Sequence, residues 1–374
     1  MSDCPNVEPW LAATERAGEA DVRAALACED PSVREFAILI SRAAGAMLEP
    51  MAQRAQALTR RHFGRTIGLY APLYLSNYCD GGCAYCGFAA DRDGSRRKLG
   101  AEERRVELEA LHAMGLEEVL LLTGERGKEA GFEYLLESVV QAAEYFHRVT
   151  VEAFAMSREE YARLAGAGCT GVTLYQETYH PETYARMHRW GVKKDYAYRL
   201  DAPARALAGG IRTVGLGVLL GLGDSRYDLL ALFQHLTALR KRFWQGGFAI
   251  SFPRLRPEAG GYEPTIPVDD RMLARVIFAF RICLPDVPLV LSTRESPAFR
   301  DGMAGVGICR MSVASRTCVG GYTEEAPSTG GQFEVSDTRD VEAFCAALRA
   351  RGLQPVFKNW DATLRDFAGA PAGP

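Results

Sequence analysis

The feature that most constrains the fold is a regular alternation of short apolar runs with longer amphipathic segments, which extends from residue 67 to residue 314. The apolar runs predict eight β-strands: Ile67–Leu75, Glu118–Thr123, Val149–Phe154, Gly171–Tyr175, Thr213–Leu220, Gly247–Phe252, Pro288–Ser292 and Gly307–Ala314. Strands that alternate with helices run parallel and carry the helices on the outside of the sheet. Eight such units fit an α/β fold of the closed (β/α)8 TIM-type barrel, with an open doubly wound sheet as the alternative.

Helical periodicity also extends beyond the barrel. Between and after the strands it predicts helices at Glu102–Met114, Phe132–Phe146, Glu159–Leu164, Pro181–Leu207, Tyr227–Phe243, Asp270–Cys283 and Val341–Arg351, while the seventh connection, around Phe299–Met303, is short with a weak helical pattern. A barrel of this type takes roughly 250 residues, which leaves about a hundred for extensions. We therefore divide the chain into an N-terminal helical extension (1–65), the barrel (66–318) and a C-terminal loop and helix that cover the barrel (319–374).

Charge and hydropathy exclude several classes of protein. Lys and Arg number 44 and Asp and Glu 47, a formal net charge of −3, so the chain lacks the basic excess of a sequence-independent nucleic-acid binder. No apolar run approaches the ~18 residues that span a membrane, and the first residues do not resemble a secretory signal. We expect a cytoplasmic protein. In that reducing compartment the ten cysteines serve as metal ligands or catalytic groups sooner than as disulfides.

Three of these cysteines, Cys79, Cys83 and Cys86, lie within eight residues directly after the first predicted strand. Three thiolates converging from one loop suit a soft metal centre. Three protein ligands can hold a four-iron, four-sulfur cluster and leave one iron open to another molecule. The alternatives are a zinc site, which needs a fourth ligand that this spacing does not supply, and cysteines that bind nothing.

The spacing Cys-x-x-x-Cys-x-x-Cys after the first strand of a β/α barrel resembles the radical S-adenosylmethionine (SAM) enzymes. The resemblance implies two cofactors, a [4Fe-4S] cluster on the three cysteines and SAM chelated by the free iron. Cleavage of SAM by one electron then yields methionine and a 5′-deoxyadenosyl radical. The aromatic Tyr85 before the third cysteine matches a residue that this family commonly has, and its ring would shield the cluster or lie near the adenine.

The same resemblance implies SAM-binding residues at the carboxyl ends of the strands, where the catalytic groups of such barrels gather. They are Gly124 and Glu125 after the second strand, Glu152 in the third, Gln176 and Glu177 after the fourth, and Arg199 before the fifth. Glu125 would receive the SAM ammonium and Arg199 the carboxylate. Simpler interpretations stay open: a solvated loop acid for Glu125, a helix cap for Glu177 and an exposed helix residue for Arg199.

Two further strand ends carry Arg294 and Ser312. A cation and a hydroxyl at these positions would bind a substrate carboxylate inside the barrel. A salt-bridged surface formed by Arg294 and Glu295 is the alternative. The glycine-rich run Gly215–Gly223 lacks the position of a dinucleotide fingerprint, and we interpret it as the fifth barrel strand, with glycines that admit SAM at close approach.

Several segments narrow the resemblance to the 2-iminoacetate synthases, the tyrosine lyases of thiamine thiazole biosynthesis. They are Tyr74–Asn77, Tyr175–His180, Val214–Gly221, Leu291–Glu295, Gly320–Tyr322 and Gly352–Asp361. This family implies cleavage of the Cα–Cβ bond of L-tyrosine to 2-iminoacetate and 4-cresol. It also implies an electron donor such as flavodoxin or ferredoxin, and thiazole synthase as a partner. We identify no base for the phenol proton.

Two related enzymes compete with this interpretation. A radical SAM lyase acting on L-tryptophan has a similar barrel, and only the shape of the pocket would separate indole from phenol. The tyrosine lyase of hydrogenase maturation carries a second cysteine motif in a further domain. The present chain ends at Pro374 with Cys345 as its last cysteine, so we expect no such domain and no production of cyanide or carbon monoxide.

Overall fold

The computed structural model describes residues 5–255, 262–264, 266–323 and 331–357. Its centre is a parallel sheet whose first eight strands are β1 (Thr66–Tyr74), β2 (Glu118–Leu122), β3 (Arg148–Glu152), β4 (Cys169–Thr173), β5 (Thr213–Gly217), β6 (Gly247–Ser251), β7 (Leu289–Leu291) and β8 (Arg310–Ser312). Each strand pairs with the next, and β1 pairs with both β8 and β2. The sheet is therefore closed. The predicted eight-stranded barrel is confirmed, and the open-sheet alternative is wrong.

Helices cover the outside of the barrel. They are α5 (Ala101–Ala113), α6 (Phe132–Ala142), α7 (Arg158–Gly166), α8 (Pro181–Met187), α9 (Tyr196–Leu200), α10 (Ala202–Ala208), α11 (Ser225–Arg242), α12 (Asp270–Cys283) and α13 (Pro297–Met303). Strand β2 is buried along its whole length, as expected for a parallel strand with both faces covered. Within the described residues no helix is long and apolar enough to cross a membrane.

The predicted single helix Pro181–Leu207 is wrong, because the chain forms α8, a 3-10 turn at Val192–Lys194, α9 and α10 in its place. Gly191 lies at φ 88, a left-handed conformation that an α-helix does not accommodate. Asp195 then begins α9 by accepting a hydrogen bond from the backbone N–H of Tyr198. The break releases residues 188–195 from helical geometry, and this segment contacts the cysteine loop described below.

The N-terminal helices are α1 (Glu8–Arg16), α2 (Glu19–Ala27), α3 (Val33–Leu39) and α4 (Leu48–Phe63), with a 3-10 turn at Ala43–Met47. They pack against the outer helices α11 and α12. The ring of Phe36 stacks on Phe233 and meets Phe280 edge-on, each at 4.5 Å between centroids. The extension therefore shares one hydrophobic core with the barrel.

After the barrel, α14 (Val341–Ala350) leads into a ninth strand, β9 (Gln354–Val356), which sequence analysis did not predict. It pairs in parallel with the first residues of β1, from Thr66 to Gly68. The three residues of β9 include Pro355, and a proline within a run argues against a strand there except at the edge of a sheet. The domain boundaries at residues 65/66 and 318/319 stay a prediction.

Candidate active site

Two adjoining cavities open at the carboxyl ends of the barrel strands. The first, here called the cysteine cavity, has a volume of about 100 Å³; its polar lining includes Cys79, Cys83, Cys86, Glu125, Glu152, Glu177, Lys193 and Arg199. The second, the arginine cavity, measures about 130 Å³; its polar lining includes Tyr74, Glu152, Tyr175, Ser292, Arg294 and Ser312. Tyr74, Glu152 and Gln332 belong to both walls, so the cavities are neighbours.

The cysteines lie on an irregular loop after β1, and Arg96 holds that loop in shape. Its guanidinium donates hydrogen bonds to the backbone oxygens of Asn77 at 2.7 Å, Phe88 at 2.8 Å and Ala89 at 2.6 Å. One side chain therefore satisfies carbonyls on both sides of the cysteines. Without regular structure in the loop, those carbonyls would otherwise depend on water.

The segment released by the break after α8 packs across the same loop. The backbone N–H of Ala84 donates to the oxygen of Met187 at 2.9 Å, and that of Gly82 to the oxygen of Trp190 at 3.1 Å. A Cβ atom on Gly82 would stand 2.3 Å from the indole of Trp190, so only glycine fits there. The two glycines between Cys79 and Cys83 thus allow close packing against a distant segment.

Backbone N–H groups point at the thiols. Cys79 Sγ accepts hydrogen bonds from Gly81 N at 3.4 Å and Glu125 N at 3.3 Å, and Cys86 Sγ accepts one from Phe88 N at 3.4 Å. Burial nevertheless raises the pKa of the Cys83 thiol to about 11. A cationic centre is therefore needed to hold these sulfurs as thiolates, the form that ligates metal.

The arrangement fits an iron–sulfur cluster better than zinc. Among the described residues, no three His, Cys, Asp or Glu side chains converge closely enough to hold a single metal ion. A mononuclear zinc site requires that convergence, whereas each cysteine of a cluster ligates a different iron. The nine described cysteines are all free thiols, so the three in the loop are available as ligands. Hydrogen bonds to the sulfurs are also typical of cluster sites.

Charged side chains line the rest of the cysteine cavity. Lys193 Nζ lies 2.7 Å from Glu177 Oε1. Arg199 donates through Nε to the backbone oxygen of Tyr175 at 2.8 Å, while its Nη atoms stand 4.0 Å from Glu125 and from Glu177. Those distances exceed the length of a hydrogen bond. The Nη groups of the Arg199 guanidinium therefore retain donors for a carboxylate in the cavity.

The three simpler interpretations are wrong here. Arg199 is 6% exposed and therefore not a surface residue. Glu177 does not cap α8, because the side chain of His180 does so. Glu177 lies at φ 69, a strained conformation for a non-glycine residue that persists only where its surroundings impose it. Glu125 is 8% exposed and is therefore not a solvated loop acid.

Glu152 stands between the two cavities. Burial, together with the nearby charge of Glu177, raises the pKa of its carboxyl to about 7, against the opposing influence of Lys193 and Arg294. A group with a pKa near neutrality at a cavity wall is able to exist in both protonation states at physiological pH. The structure thus gives Glu152 an environment unlike that of the ion-paired Glu177.

Tyr85 belongs to the cysteine loop and lies between Cys83 and Cys86 in the sequence. Its hydroxyl lies 2.8 Å from His188 Nε2, and His188 Nδ1 lies 2.9 Å from the backbone oxygen of Tyr184. A carbonyl only accepts, so Nδ1 carries the proton and Nε2 accepts from Tyr85. Burial lowers the pKa of His188 to about 2, which keeps the imidazole neutral. The tyrosine ring is fixed beside Cys83.

The arginine cavity brings together the other two predicted residues. Arg294 lies with its guanidinium carbon 3.6 Å from the ring centre of Phe333, a cation–π contact. Ser312 Oγ accepts a hydrogen bond from Thr293 N at 3.1 Å. The alternative of an exposed Arg294–Glu295 pair is wrong, because Glu295 is 2% exposed and bound by the buried Arg254.

Two further predictions concern Gln176, after the fourth strand, and the glycines of the fifth strand. Gln176 is 4% exposed and does not belong to the described lining of either cavity, so its predicted role in SAM binding stays a prediction. The approach of SAM to the glycines of the fifth strand also stays a prediction; at Gly217 a Cβ atom would stand 2.5 Å from the ring of Tyr175. That glycine admits a neighbouring side chain.

Sequence analysis missed Arg96, Lys193 and Gln332. Lys193 has an identical neighbour in Lys194, which is exposed, and nothing local tells the ion-paired lysine from the solvated one. Arg96 belongs to a run of charged residues that resembles an ordinary solvated loop. Gln332 reaches the cavities from beyond the barrel. The folded contacts of these side chains reveal all three: Arg96 within its own loop, Lys193 with Glu177, and Gln332 with Tyr74 and Cys86 far away in the chain.

Comparisons with known proteins agree with this geometry. Residues 73–236 match the radical SAM superfamily, and residues 251–354 match the biotin and thiamin synthesis associated domain. The chain is 43% identical to 2-iminoacetate synthase of Escherichia coli (strain K12), and the match covers 92% of each chain. The corresponding enzyme of Salmonella typhimurium (strain LT2) is 42% identical over the same shares.

Solved structures show the same architecture. HydG, a maturase of the [FeFe]-hydrogenase, superposes with a TM-score of 0.89 at 33% identity, covering 96% of this chain and 81% of that one. Methylornithine synthase shares the fold, with a TM-score of 0.73 at 18% identity over 92% of this chain and 99% of that one. The chain therefore belongs to the radical SAM superfamily, whose cofactors are a [4Fe-4S] cluster and SAM, and within it to the 2-iminoacetate synthase family.

Proposed function

We propose that this enzyme is a radical SAM lyase that cleaves the Cα–Cβ bond of L-tyrosine to 2-iminoacetate and 4-cresol for thiamine thiazole biosynthesis. The observation that carries the proposal is the common wall of the two cavities, to which Tyr74, Glu152 and Gln332 belong together with Cys86, Leu122, Tyr175 and Glu177. The shared wall supports a SAM site in the cysteine cavity directly beside an amino acid site in the arginine cavity. The 43% identity to 2-iminoacetate synthase of Escherichia coli supports this substrate.

Cys79, Cys83 and Cys86 would hold the cluster, which when bound supplies the electron that splits SAM into methionine and a 5′-deoxyadenosyl radical. Glu125 and Arg199 lie on the same cavity and would bind the ammonium and carboxylate of SAM. Glu177, held by Lys193 at 2.7 Å, and Glu152 would accept hydrogen bonds from ribose or from the substrate amine. Gly124 lets the chain pass close to Cys79, since a Cβ atom there would stand 2.7 Å from Cys79 Cβ.

In the arginine cavity, Arg294 and Ser312 would hold the substrate carboxylate, so that the amino group faces the cysteine cavity. Tyr70, Tyr74 and Tyr175 also line this space. Their rings exclude water from a primary radical that would otherwise attack the nearest C–H or N–H bond. Positioning is thus the main task of these side chains.

The electron balance supports a dedicated donor. Hydrogen-atom abstraction from the amino group followed by homolysis of Cα–Cβ leaves an unpaired electron on the phenolic fragment. Formation of 4-cresol therefore takes a second electron and one proton in addition to the electron that cleaves SAM. We infer a flavodoxin- or ferredoxin-type donor, thiazole synthase as acceptor of the unstable imine, and a cytoplasmic location, to which the nine free described thiols are suited.

Product analysis tests the proposal. Anaerobically reconstituted enzyme with SAM and reductant should release 4-cresol from L-tyrosine and consume two electrons for each 4-cresol. L-tryptophan should give 5′-deoxyadenosine without an indolic cleavage product. An indolic product from tryptophan in place of 4-cresol from tyrosine would transfer the assignment to the tryptophan lyases.

A further inference from the structure

Gln332 is the one side chain from beyond the barrel that the structure places against a cysteine of the predicted cluster, within the described residues. Its Nε2 lies 3.6 Å from Cys86 Sγ, and its Oε1 lies 2.7 Å from the hydroxyl of Tyr74. It lines both the cysteine and the arginine cavity. The amide therefore connects a sulfur ligand with a side chain of the substrate cavity.

The two contacts fix the orientation of the amide. A tyrosine hydroxyl has one proton, and donating it to Oε1 turns the NH2 group toward Cys86. The reversed amide would set a carbonyl oxygen against a thiolate, which is repulsive once Cys86 is ionised. The geometry is thus that of an N–H donor directed at sulfur by its bond to Tyr74.

The backbone that carries Gln332 is anchored independently of the amide. Its N–H donates to the backbone oxygen of Thr317 at 3.0 Å, and Thr317 Oγ1 donates to the oxygen of Phe333 at 2.8 Å. Downstream, the buried Asp337 forms ion pairs with Arg300 and Arg339. The amide is therefore presented by a fixed segment and is able to act on Cys86 without reorganising the chain.

We propose that Gln332 is a positioning residue that raises the reduction potential of the cluster by donating a hydrogen bond to Cys86, with Tyr74 directing the amide. The inference rests on the proposed assignment of the cluster to the three cysteines. Reduction adds negative charge to the sulfurs, and an N–H donor stabilises the reduced form more than the oxidised one. Because Tyr74 also faces the arginine cavity, an amino acid bound there changes this hydrogen bond and couples substrate binding to reduction.

A redox titration of the reconstituted enzyme, followed by electron paramagnetic resonance, tests this role. In Gln332→Met, which keeps the length but lacks the donor, the ratio of reduced to oxidised cluster at a fixed potential should fall about tenfold, equivalent to about 59 mV for one electron. Tyr74→Phe should shift the ratio in the same direction by less. L-tyrosine should shift the wild-type potential and leave that of Gln332→Met unchanged.

Thr317→Val is the matched control, because it removes an anchor of the same segment and leaves the amide in place. An unchanged potential in Gln332→Met overturns the inference, as does an equal shift in Thr317→Val, which would assign the effect to the segment. If Gln332→Met takes up no cluster, the test passes to the Tyr74→Phe variant. An unchanged reduction potential of its cluster would then overturn the proposed role of Gln332. A wild-type protein that binds no cluster refutes the proposed function instead.

Discussion

The two sides of the barrel mouth are built in different ways. The cysteine side is one continuous loop whose shape comes from backbone hydrogen bonds, chiefly those donated by Arg96 and those exchanged with residues 187–190. The arginine side is assembled from single side chains on β1, β3 and β8, after β4 and β7, and on the segment after the barrel, with Arg294 and Ser312 eighteen residues apart. The three ligands of one loop are neighbours along the chain before it folds, whereas a pocket made of scattered side chains exists only once the barrel has closed.

The largest effect should follow from Cys83→Ala, which removes one ligand from the cysteine side. We expect loss of the [4Fe-4S] cluster and at least a 1,000-fold fall in 5′-deoxyadenosine formation, on the order of 4 kcal/mol. Iron content and product chromatography measure both. Cys28→Ala, directly after α2 in the N-terminal extension, is the control and should keep both. Full SAM cleavage by Cys83→Ala would remove the basis of the cluster assignment.

Arg294→Met should affect the arginine side alone. The substrate carboxylate loses its cation, so 4-cresol formation should fall on the order of 100-fold while SAM cleavage without substrate continues. Arg294→Lys keeps the positive charge but not the planar guanidinium. Its 4-cresol formation should therefore lie between that of wild type and that of Arg294→Met. The ratio of 4-cresol to 5′-deoxyadenosine reports the difference. An equal fall of both products would mean that the sides do not act separately.

Arg96→Met should loosen the cysteine loop and spare the barrel. Hydrogen bonds to a charged donor contribute roughly 1.5–3 kcal/mol each, so losing several should favour local opening by about 3 kcal/mol. Hydrogen exchange should then accelerate over residues 77–89 and not in β5 or β6. Arg97→Met, which removes a half-exposed pair with Glu103, is the control. Uniform acceleration over the whole chain would contradict a local role.

The smallest effect concerns Glu152 at the common wall. Its pKa is raised to about 7, so the folded state binds the proton more tightly than the unfolded state does. The contribution to stability is present below about pH 4.5 and is lost as the pH rises through about 7. Relative to Glu152→Gln, the cofactor-free wild type should lose about 1.5 kcal/mol over that window, after allowance for solvent in the cavity. Denaturant unfolding at several pH values measures it; a constant difference would contradict the raised pKa.

The contrast between the two sides also explains what the sequence could predict. The eight strands and the cysteine loop follow from local patterns, because hydrophobic periodicity and ligand spacing are both local. Glu125, Glu177, Arg294 and Ser312 follow strands or end them, and the closed barrel brings them to the cavities. Arg199, predicted before the fifth strand, reaches the cysteine cavity from α9. The turn at Gly191 and the strand β9 depend on partners far away in the chain, as do the contacts of Lys193 and Gln332. Hydrophobic periodicity and residue spacing do not indicate contacts between residues that are distant in the sequence.

The central claim is that the cysteine side holds a cluster with one iron open to SAM. Electron paramagnetic resonance of the anaerobically reduced enzyme, recorded before and after addition of SAM, tests it most directly. The account predicts a cluster signal whose g values change when SAM binds, in wild type and in Arg294→Met alike. A cluster signal that SAM leaves unchanged, or no cluster signal in reconstituted wild type, would contradict it.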